Sequence, residues 1–144
     1  MDYKRFDDNI YVRLDRGDEV ISSVLSVCNR ENIKSAIFSG IGGCAEVTVG
    51  TLNSETNEFI PHNKNGLLEM VSLNGNIALD ENDEISEHTH AMFTYINYDE
   101  VKTIGGHLIK AVISYTGEIV INPIKEGVIR KSTDKNLGIP IWRL

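Results

Sequence analysis

A succession of apolar runs with a two-residue period most constrains what this chain can fold into. The clearest run is residues 67–79, where apolar and polar side chains alternate. Because neighbouring side chains of a strand point to opposite faces, this run predicts a strand with one buried face. The residues predicted to face inward are Val71, Leu73, Ile77 and Leu79. Comparable runs are residues 9–14, 35–39, 45–52, 87–96, 107–115 and 118–124. Five or more strands joined by short turns predict a mostly antiparallel sheet.

Glycine and proline are expected to interrupt these strands. Gly40-Ile41-Gly42-Gly43 predicts a tight turn or a bulge, because no Lys-Ser/Thr follows the glycines as a phosphate-binding loop requires. The turn-rich residues 53–58 predict a hairpin, and Pro61 is expected to stop the short strand that returns from it. Residues 116–118 predict another tight turn. Gly75, in the middle of a strand, indicates a bulge or a close backbone approach.

One segment has helical periodicity instead. Its apolar stripe consists of Val20, Ile21, Val24, Leu25, Val27 and Cys28. Asp18 and Glu19 precede the stripe, where a helix N-terminus favours negative charge. We expect this helix to lie on the sheet. The predicted fold class is therefore α+β, a mostly antiparallel β-sheet covered by one main helix in a compact single domain.

Length and composition agree with one soluble domain. The chain has 144 residues, of which 41% are hydrophobic, enough for one sizeable core. We expect a single domain over residues 1–144, with a core at about residues 10–125 and a C-terminal tail at residues 126–144. In the tail, Trp142 is expected to pack across a subunit boundary. The net charge of −7 argues against a broad surface for nucleic acid or an anionic membrane.

The sequence also suggests a cellular compartment. No apolar run approaches the roughly 20 residues needed to span a bilayer, so no membrane partner is expected. The first five residues lead into no apolar segment typical of a signal peptide. Cys28 and Cys44 have no metal-binding or redox spacing and are predicted to be small buried residues in a reducing compartment. We therefore expect a cytoplasmic protein.

Three of the four histidines form one pattern. His88 and His90 are two residues apart, so on a strand they project from the same face. His107 follows Gly105-Gly106, and a hairpin turning within residues 97–102 would bring it opposite His90. Three imidazoles on one face are a suitable ligand set for a divalent metal, zinc above all, and leave a position open for water or ligand.

The alternative for each histidine is a hydrogen-bonded residue of the core. Burying three imidazoles without partners would be costly, and metal coordination would satisfy one nitrogen of each. The remaining N–H groups would need acceptors, for which Glu69, Glu87 and Asp80 are candidates. If the site is catalytic, Glu69 is the candidate general acid or base. His62, beside Pro61 in a polar stretch, is expected at the surface.

Several segments, taken in order, resemble the PPC domain (plants and prokaryotes conserved). Residues 13–20 resemble the strand-to-helix opening of that domain, and residues 39–42 resemble its Ser-Gly-Ile-Gly turn. Residues 69–77 resemble its Glu-x-x-Ser-Leu-x-Gly-Asn-Ile strand. Residues 88–90 resemble its His-x-His element, and residues 105–108 resemble its Gly-Gly-His-Leu element. Order and approximate spacing match from about Tyr11 to Ile124, apart from a slightly longer loop at residues 97–104.

The resemblance implies a compact α+β fold, a homotrimer and, in prokaryotic members, a metal, often assigned as zinc, on the three histidines. The architecture is similar to that of acetolactate decarboxylase, a metal-dependent lyase. In plant nuclear proteins the domain follows AT-hooks that contact DNA, and prokaryotic relatives take the DNA-binding label from that association. This chain has no Arg-Gly-Arg-Pro element, so nucleic acid is not expected as a partner.

Three functions remain open on these grounds. The first is a stand-alone oligomeric PPC-type module that binds a small ligand or a partner. The second is a metal-dependent lyase or hydrolase acting on a small carbonyl substrate. The third is a DNA-associated regulator. A solvent-open metal in a deep pocket would favour the enzyme. A sealed site at a trimer axis would favour the binding module, and a basic stripe on the surface would favour the DNA-associated regulator.

Overall fold

The chain folds around one mixed sheet in which nearly all pairs are antiparallel. The structure, a computed structural model, describes residues 1–56 and 58–144. Their elements are β1 (Asp2–Phe6), β2 (Asn9–Asp15), α1 (Val20–Arg30), β3 (Ala36–Asn53), β4 (Glu58–Leu79), β5 (Ile85–Asn97), β6 (Glu100–Pro123), β7 (Arg130–Thr133) and β8 (Pro140–Arg143). The strand order is β1-β2-β6-β3-β4-β7-β8, and β5 pairs with β4 and β6. Only the contact of β4 with β7 is parallel among the described pairs, so the mostly antiparallel α+β prediction is confirmed.

Four long strands close into a ring of antiparallel pairs. β3 pairs with β4 and β6, and β5 pairs with the same two strands. A sheet that closes on itself encloses its inner face. That face holds the core, whose largest fully buried side chains include Phe93, Leu68, Met70, Leu108 and Ile119.

The helix is fixed to the inner side of this ring at its first turn. The carboxylate of Glu19 caps α1, accepting from the backbone N–H groups of Ile21 at 3.2 Å and Ser22 at 2.7 Å. The same carboxylate accepts from the N–H of Ala111 in β6 at 3.2 Å. Most of the predicted stripe is buried, namely Val20, Val24, Val27 and Cys28. With 11 residues, α1 covers only part of an eight-stranded sheet, so the predicted cover is loose.

Two predicted breaks within strands are wrong, whereas the bulge predicted as one alternative at Gly40–Gly43 is confirmed. β3 runs through Gly40–Gly43 with bulges, the second of the two predicted alternatives. Glycine is required here because β6 approaches so closely that a Cβ at Gly40 would lie 2.6 Å from the Glu118 carbonyl oxygen. β6 likewise continues through residues 116–118. Pro61 does not stop β4, because at this end β4 has β3 as its only described neighbour and the missing N–H donor is tolerated at such an edge.

Within β4, the predicted inward face needs one correction. A bulge between Met70 and Ser72 turns Val71 outward, and its side chain is 47% exposed. Gly75 lies at a close approach rather than a bulge, since a Cβ there would lie 2.6 Å from Cε1 of the Phe38 ring. The predicted turn at residues 53–58 joins β3 to β4, although Asn57 lies outside the described residues.

The C-terminal tail forms a hairpin that sequence patterning missed. β7 and β8 pair antiparallel, with Lys131 opposite Trp142. The indole N–H of Trp142 donates to the Asn76 side chain of the same chain at 3.3 Å, and its packing across a subunit boundary stays a prediction. β1, at the other terminus, was also missed. In residues 1–56 and 58–144 we find no helix with the length and apolar character that a bilayer crossing requires.

Candidate metal centre

The two faces of β5 differ in character. Thr89, Ala91 and Phe93 point inward and are buried. His88 and His90, in alternation with them, point outward and are exposed. The turn from β5 to β6 places His107 directly opposite His90, as the hairpin prediction required.

The three imidazoles converge in space. Their ring centroids lie 5.2 Å (His88 to His90), 5.3 Å (His88 to His107) and 5.5 Å (His90 to His107) apart. One nitrogen from each ring lies within 4.8 Å of the other two. Ligand nitrogens at about 2 Å from a tetrahedral zinc ion are separated by about 3.4 Å. Modest side-chain rotations would therefore turn this group into a ligand set.

One of the three rings carries an unsatisfied atom. Nδ1 of His107 is buried, and no hydrogen-bond partner for it exists among residues 1–56 and 58–144. Leaving a buried nitrogen without a partner costs on the order of 1–3 kcal/mol. A divalent cation coordinated by the histidines would use imidazole nitrogens of this kind as ligands, so the donor set fits a metal.

The surroundings favour the neutral form of the imidazoles. Partial burial lowers the pKa of His88, and the charges of His107, His90 and Lys131 lower it further. Burial also lowers the pKa of His107; Glu87 opposes this, whereas His90 and Lys131 add to it. Because a metal binds the neutral imidazole, these shifts extend toward lower pH the range in which the ligands are ready.

Two glycines explain how His107 is positioned. Gly106 has φ +152°, and a Cβ there would lie 2.6 Å from the carbonyl oxygen of Gly50. Gly50 pairs with His107, and a Cβ at Gly50 would lie 3.0 Å from Cδ1 of Phe59. Phe59 therefore reaches across β3 to His107, with ring centroids 5.1 Å apart. Close packing of β6 against β3 thus explains why glycine precedes His107 in the Gly-Gly-His element.

The predicted carboxylate partners are not equally placed. Glu69 pairs with Thr94, four residues along β5 from His90, which is about 13 Å of strand. The structure therefore does not bring Glu69 to the histidines. Glu87 is the carboxylate whose charge acts on His107.

Two further predicted residues lie away from the cluster or are engaged elsewhere. Asp80 accepts from the N–H groups of Asn82 at 2.8 Å and Glu84 at 2.9 Å, so it orders its own loop. His62 is exposed, and its Nε2 lies 2.7 Å from the hydroxyl of Thr51.

The C-terminal hairpin brings residues that sequence reasoning missed. Lys131 is 6% exposed and is the one buried charged side chain in the part of the chain that the structure describes. Its cross-strand neighbour Trp142 donates to Asn76, and Asn76 lies opposite His88 in the β4–β5 register. A lysine in a polar tail gives no periodic signal, so nothing in the sequence pointed to it.

Fold and site together define a small α+β domain with a histidine cluster on the outer face of its sheet. The sequence profile described as Plants and Prokaryotes Conserved (PCC) domain matches residues 1–125. The chain therefore belongs to this family, which is the one abbreviated PPC above, and the sequence resemblance is confirmed.

Solved structures share the fold over nearly the whole chain. A "putative DNA binding protein" from Bacteroides thetaiotaomicron has 24% identity and a TM-score of 0.89, with 99% of this chain and 96% of that chain covered. A PPC protein from Pyrococcus horikoshii has 25% identity and a TM-score of 0.83, with 99% and 94% covered. A metal-containing protein from Archaeoglobus fulgidus has 21% identity and a TM-score of 0.85, with 99% and 97% covered. A comparison with the curated proteins finds no match.

Proposed function

We propose that this chain is an oligomeric PCC-family module that holds one divalent cation, zinc by our expectation, on His88, His90 and His107. The observation that carries the proposal is the set of three nitrogens within 4.8 Å of one another. The shared fold with an Archaeoglobus fulgidus protein described as metal-containing supports it. When bound, such a cation supplies a Lewis acid with a position left for a ligand.

We propose a small molecule as that ligand. His90 borders an open groove of about 380 Å³ that Ser72, Asn74 and Met92 also line. This volume lies within the range of small-molecule sites, about 300–1,000 Å³. The side-chain amide of Asn74 and the hydroxyl of Ser72 give the groove polar groups that could orient a ligand.

The test of the metal site is elemental analysis of protein purified without a histidine tag. We expect about one divalent metal per chain in the parent protein and in His62→Ala, because His62 lies outside the cluster. The His88→Ala/His90→Ala variant should lose the metal, since one imidazole is a poor site. Full metal content in that double variant would place the site elsewhere.

Oligomerisation is the second part of the proposal. The outer face of the sheet carries exposed apolar side chains on four strands, each 46–56% exposed: Tyr11, Ile37, Ile41, Val71 and Met92. Tyr11, Ile41 and Val71 line one open cleft, and an exposed apolar surface of this kind favours self-association. We expect a homotrimer in the cytoplasm, where both thiols stay reduced. Light scattering during size exclusion should give about three times 16.1 kDa, and a clean monomer at micromolar concentration would contradict it.

A metal-dependent lyase or hydrolase of small carbonyl compounds is the second candidate. The outward exposure of His88 and His90 favours it, because a substrate could reach the site. The metal-loaded protein would be incubated with small 2-hydroxy and 2-oxo acids while products are followed by NMR. Turnover that His88→Ala abolishes would establish the enzyme, and its absence would favour the binding module.

We propose that intrinsic DNA binding is weak. The related structures from Bacteroides thetaiotaomicron and Ralstonia eutropha are both described as "putative" DNA-binding proteins. The net charge of −7 of this chain opposes contact with phosphates. A duplex titration should give salt-dependent association at roughly 10⁻⁴–10⁻⁶ M or weaker. Nanomolar, sequence-selective binding at physiological salt would contradict this.

A further inference from the structure

Lys131 has a largely buried side chain whose ammonium keeps contact with solvent and forms no ion pair among the described residues. The side chain is 6% exposed, yet among residues 1–56 and 58–144 no carboxylate lies within 4.0 Å of its ammonium and no acceptor hydrogen-bonds it. Burial lowers its pKa, and the charge of Glu87 opposes that change. Removing an ammonium group from water is costly unless something nearby compensates the charge.

The C-terminal hairpin places Lys131 on the same side of the sheet as the histidine cluster. Lys131 lies opposite Trp142, Trp142 donates to Asn76, and Asn76 lies opposite His88. Ala78, two residues after Asn76 on the outward side of β4, is fully buried but does not belong to the main core, which we attribute to the hairpin above it. The charge of Lys131 acts on His88 and on His107.

The neighbouring acidic groups are already engaged. Glu87 accepts a hydrogen bond from the Thr89 hydroxyl. Asp80 accepts from two backbone N–H groups of its own loop. Asp83 pairs with Arg130, and Glu81 accepts from the backbone N–H of Thr133 at 2.6 Å. The ammonium of Lys131 therefore forms no ion pair among the described residues and is free to pair with an anion that enters from solvent.

The two arginines of the hairpin are engaged as well, which bears on the kind of anion. Arg130 pairs with Asp83, and Arg143 lies 3.8 Å from Asp134 and donates to the Ser132 hydroxyl at 2.6 Å. Lys135 is exposed in the connecting loop, so Lys131 supplies the one largely buried ammonium group of the described hairpin. A single point charge matches the single charge of a carboxylate, whereas tight phosphate sites gather several donors, guanidinium groups or a helix N-terminus.

We propose that Lys131 is the anion-binding residue of this site and that it receives the carboxylate of a small-molecule ligand bound at the three histidines. This inference rests on the proposed metal-binding function and specifies the chemical class of its ligand. The ammonium of Lys131 holds the carboxylate by a charge-assisted hydrogen bond. The hairpin that carries it thereby completes the site on the side of His88.

The test is calorimetric titration of the zinc-loaded full chain with glycolate and with glycolamide, its uncharged analogue. We expect glycolate to bind at least tenfold more tightly than glycolamide. Lys131→Met, which keeps an apolar stem, should weaken glycolate binding by about ten- to hundredfold, the size expected for loss of a charge-assisted hydrogen bond. Lys131→Gln should weaken it similarly, Lys131→Arg should retain most of it, and Lys135→Met, at an exposed position of the same hairpin, should match the parent.

A second readout separates anion binding from a structural role. Competition with a chromophoric chelator should show unchanged or tighter zinc binding in Lys131→Met, because a nearby positive charge is gone. A lysine that only supports the fold would instead weaken zinc binding and leave glycolate affinity unaffected in folded protein.

The outcomes distinguish this inference from the metal proposal. Two results with a zinc-binding parent would overturn the anion site and leave the metal site standing. In the first, glycolate binds Lys131→Met as tightly as it binds the parent. In the second, glycolate at millimolar concentration does not bind the parent. If the parent binds no metal, the proposed function fails. In that case, glycolate binding to the metal-free chain that depends on Lys131 would still support the anion site. If the metal-free chain shows no such binding, the anion site is overturned as well. Inorganic phosphate binding tenfold more tightly than glycolate would overturn the carboxylate assignment.

Discussion

The inner and outer faces of β5 show how one strand separates stability from function. Inward, Thr89, Ala91 and Phe93 are buried in the closed ring and under α1. Outward, His88 and His90 are exposed beside His107, and the β7–β8 hairpin reaches Asn76, which lies opposite His88. The inner face is apolar and tightly packed, so it tolerates little change. The outer face carries chemistry, so it should tolerate substitutions that alter binding without unfolding the chain.

The largest expected effect is a truncation on the inner face. Phe93→Ala should lower the free energy of unfolding by about 3–5 kcal/mol, because it leaves a cavity at a side chain with no exposed surface. Met92→Ala, one residue away on the outer face and 51% exposed, should change it by about 0.5 kcal/mol or less. Urea unfolding followed by circular dichroism measures both. Equal losses would mean that the two faces do not differ as described.

Metal removal should give the next largest effect, from the outer face. A ligand that binds only the folded chain stabilises it by about 2.7 kcal/mol at a hundred times Kd and about 4.1 kcal/mol at a thousand times. We therefore expect a chelator to lower the thermal midpoint by several degrees in the zinc-loaded parent and in His62→Ala.

The matched variant for that measurement is His88→Ala/His90→Ala. Because it lacks two of the three proposed ligands, its midpoint should be the same with and without chelator, and close to that of the metal-free parent. A variant that unfolds at a much lower temperature than the metal-free parent would show that the outer histidines contribute to the fold itself.

The same contrast explains what the sequence could predict. α1 and the inward residues of β5 follow simple periodicity, and the positions of His88 and His90 follow from strand alternation alone. The sequence underestimates the lengths of the strands, because Gly40 and Gly42 look like turn residues until the close pairing of β3 with β6 is known. Lys131 was missed because its burial comes from a short polar hairpin folding over the outer face, a tertiary effect with no local pattern.

A smaller effect on the inner face should come from filling the space that glycine leaves. Gly75→Ala should cost about 1–3 kcal/mol, because the new methyl group would overlap the ring of Phe38. Phe38→Leu removes much of that ring, so the double variant should lose less stability than the sum of the single variants. Urea unfolding of the four proteins gives the coupling energy. Simple additivity would show that the ring moves aside without cost.

The smallest effect concerns the two thiols, which probe closure of the inner face. Burial raises the pKa of Cys28 to about 11 and that of Cys44 to about 12, and both side chains are fully buried. At pH 8 a disulfide-forming thiol reagent should therefore label the native chain far more slowly than the urea-unfolded chain. A histidine-selective acylating reagent should modify His88 and His90 of the metal-free chain readily, because they face outward.

The raised thiol pKa values also set the direction of a pH effect. The folded chain keeps both thiols protonated above pH 9, where unfolded thiols with the ordinary pKa of 9.0 ionise. The folded state therefore binds more protons in this range, and the free energy of unfolding should fall as pH rises from about 9 toward 11–12. Cys28→Ala/Cys44→Ala should show a shallower decline, measured by urea unfolding at each pH. A decline equally steep in both proteins would assign it to other groups, and rapid labelling of the native chain at pH 8 would show that the inner face opens.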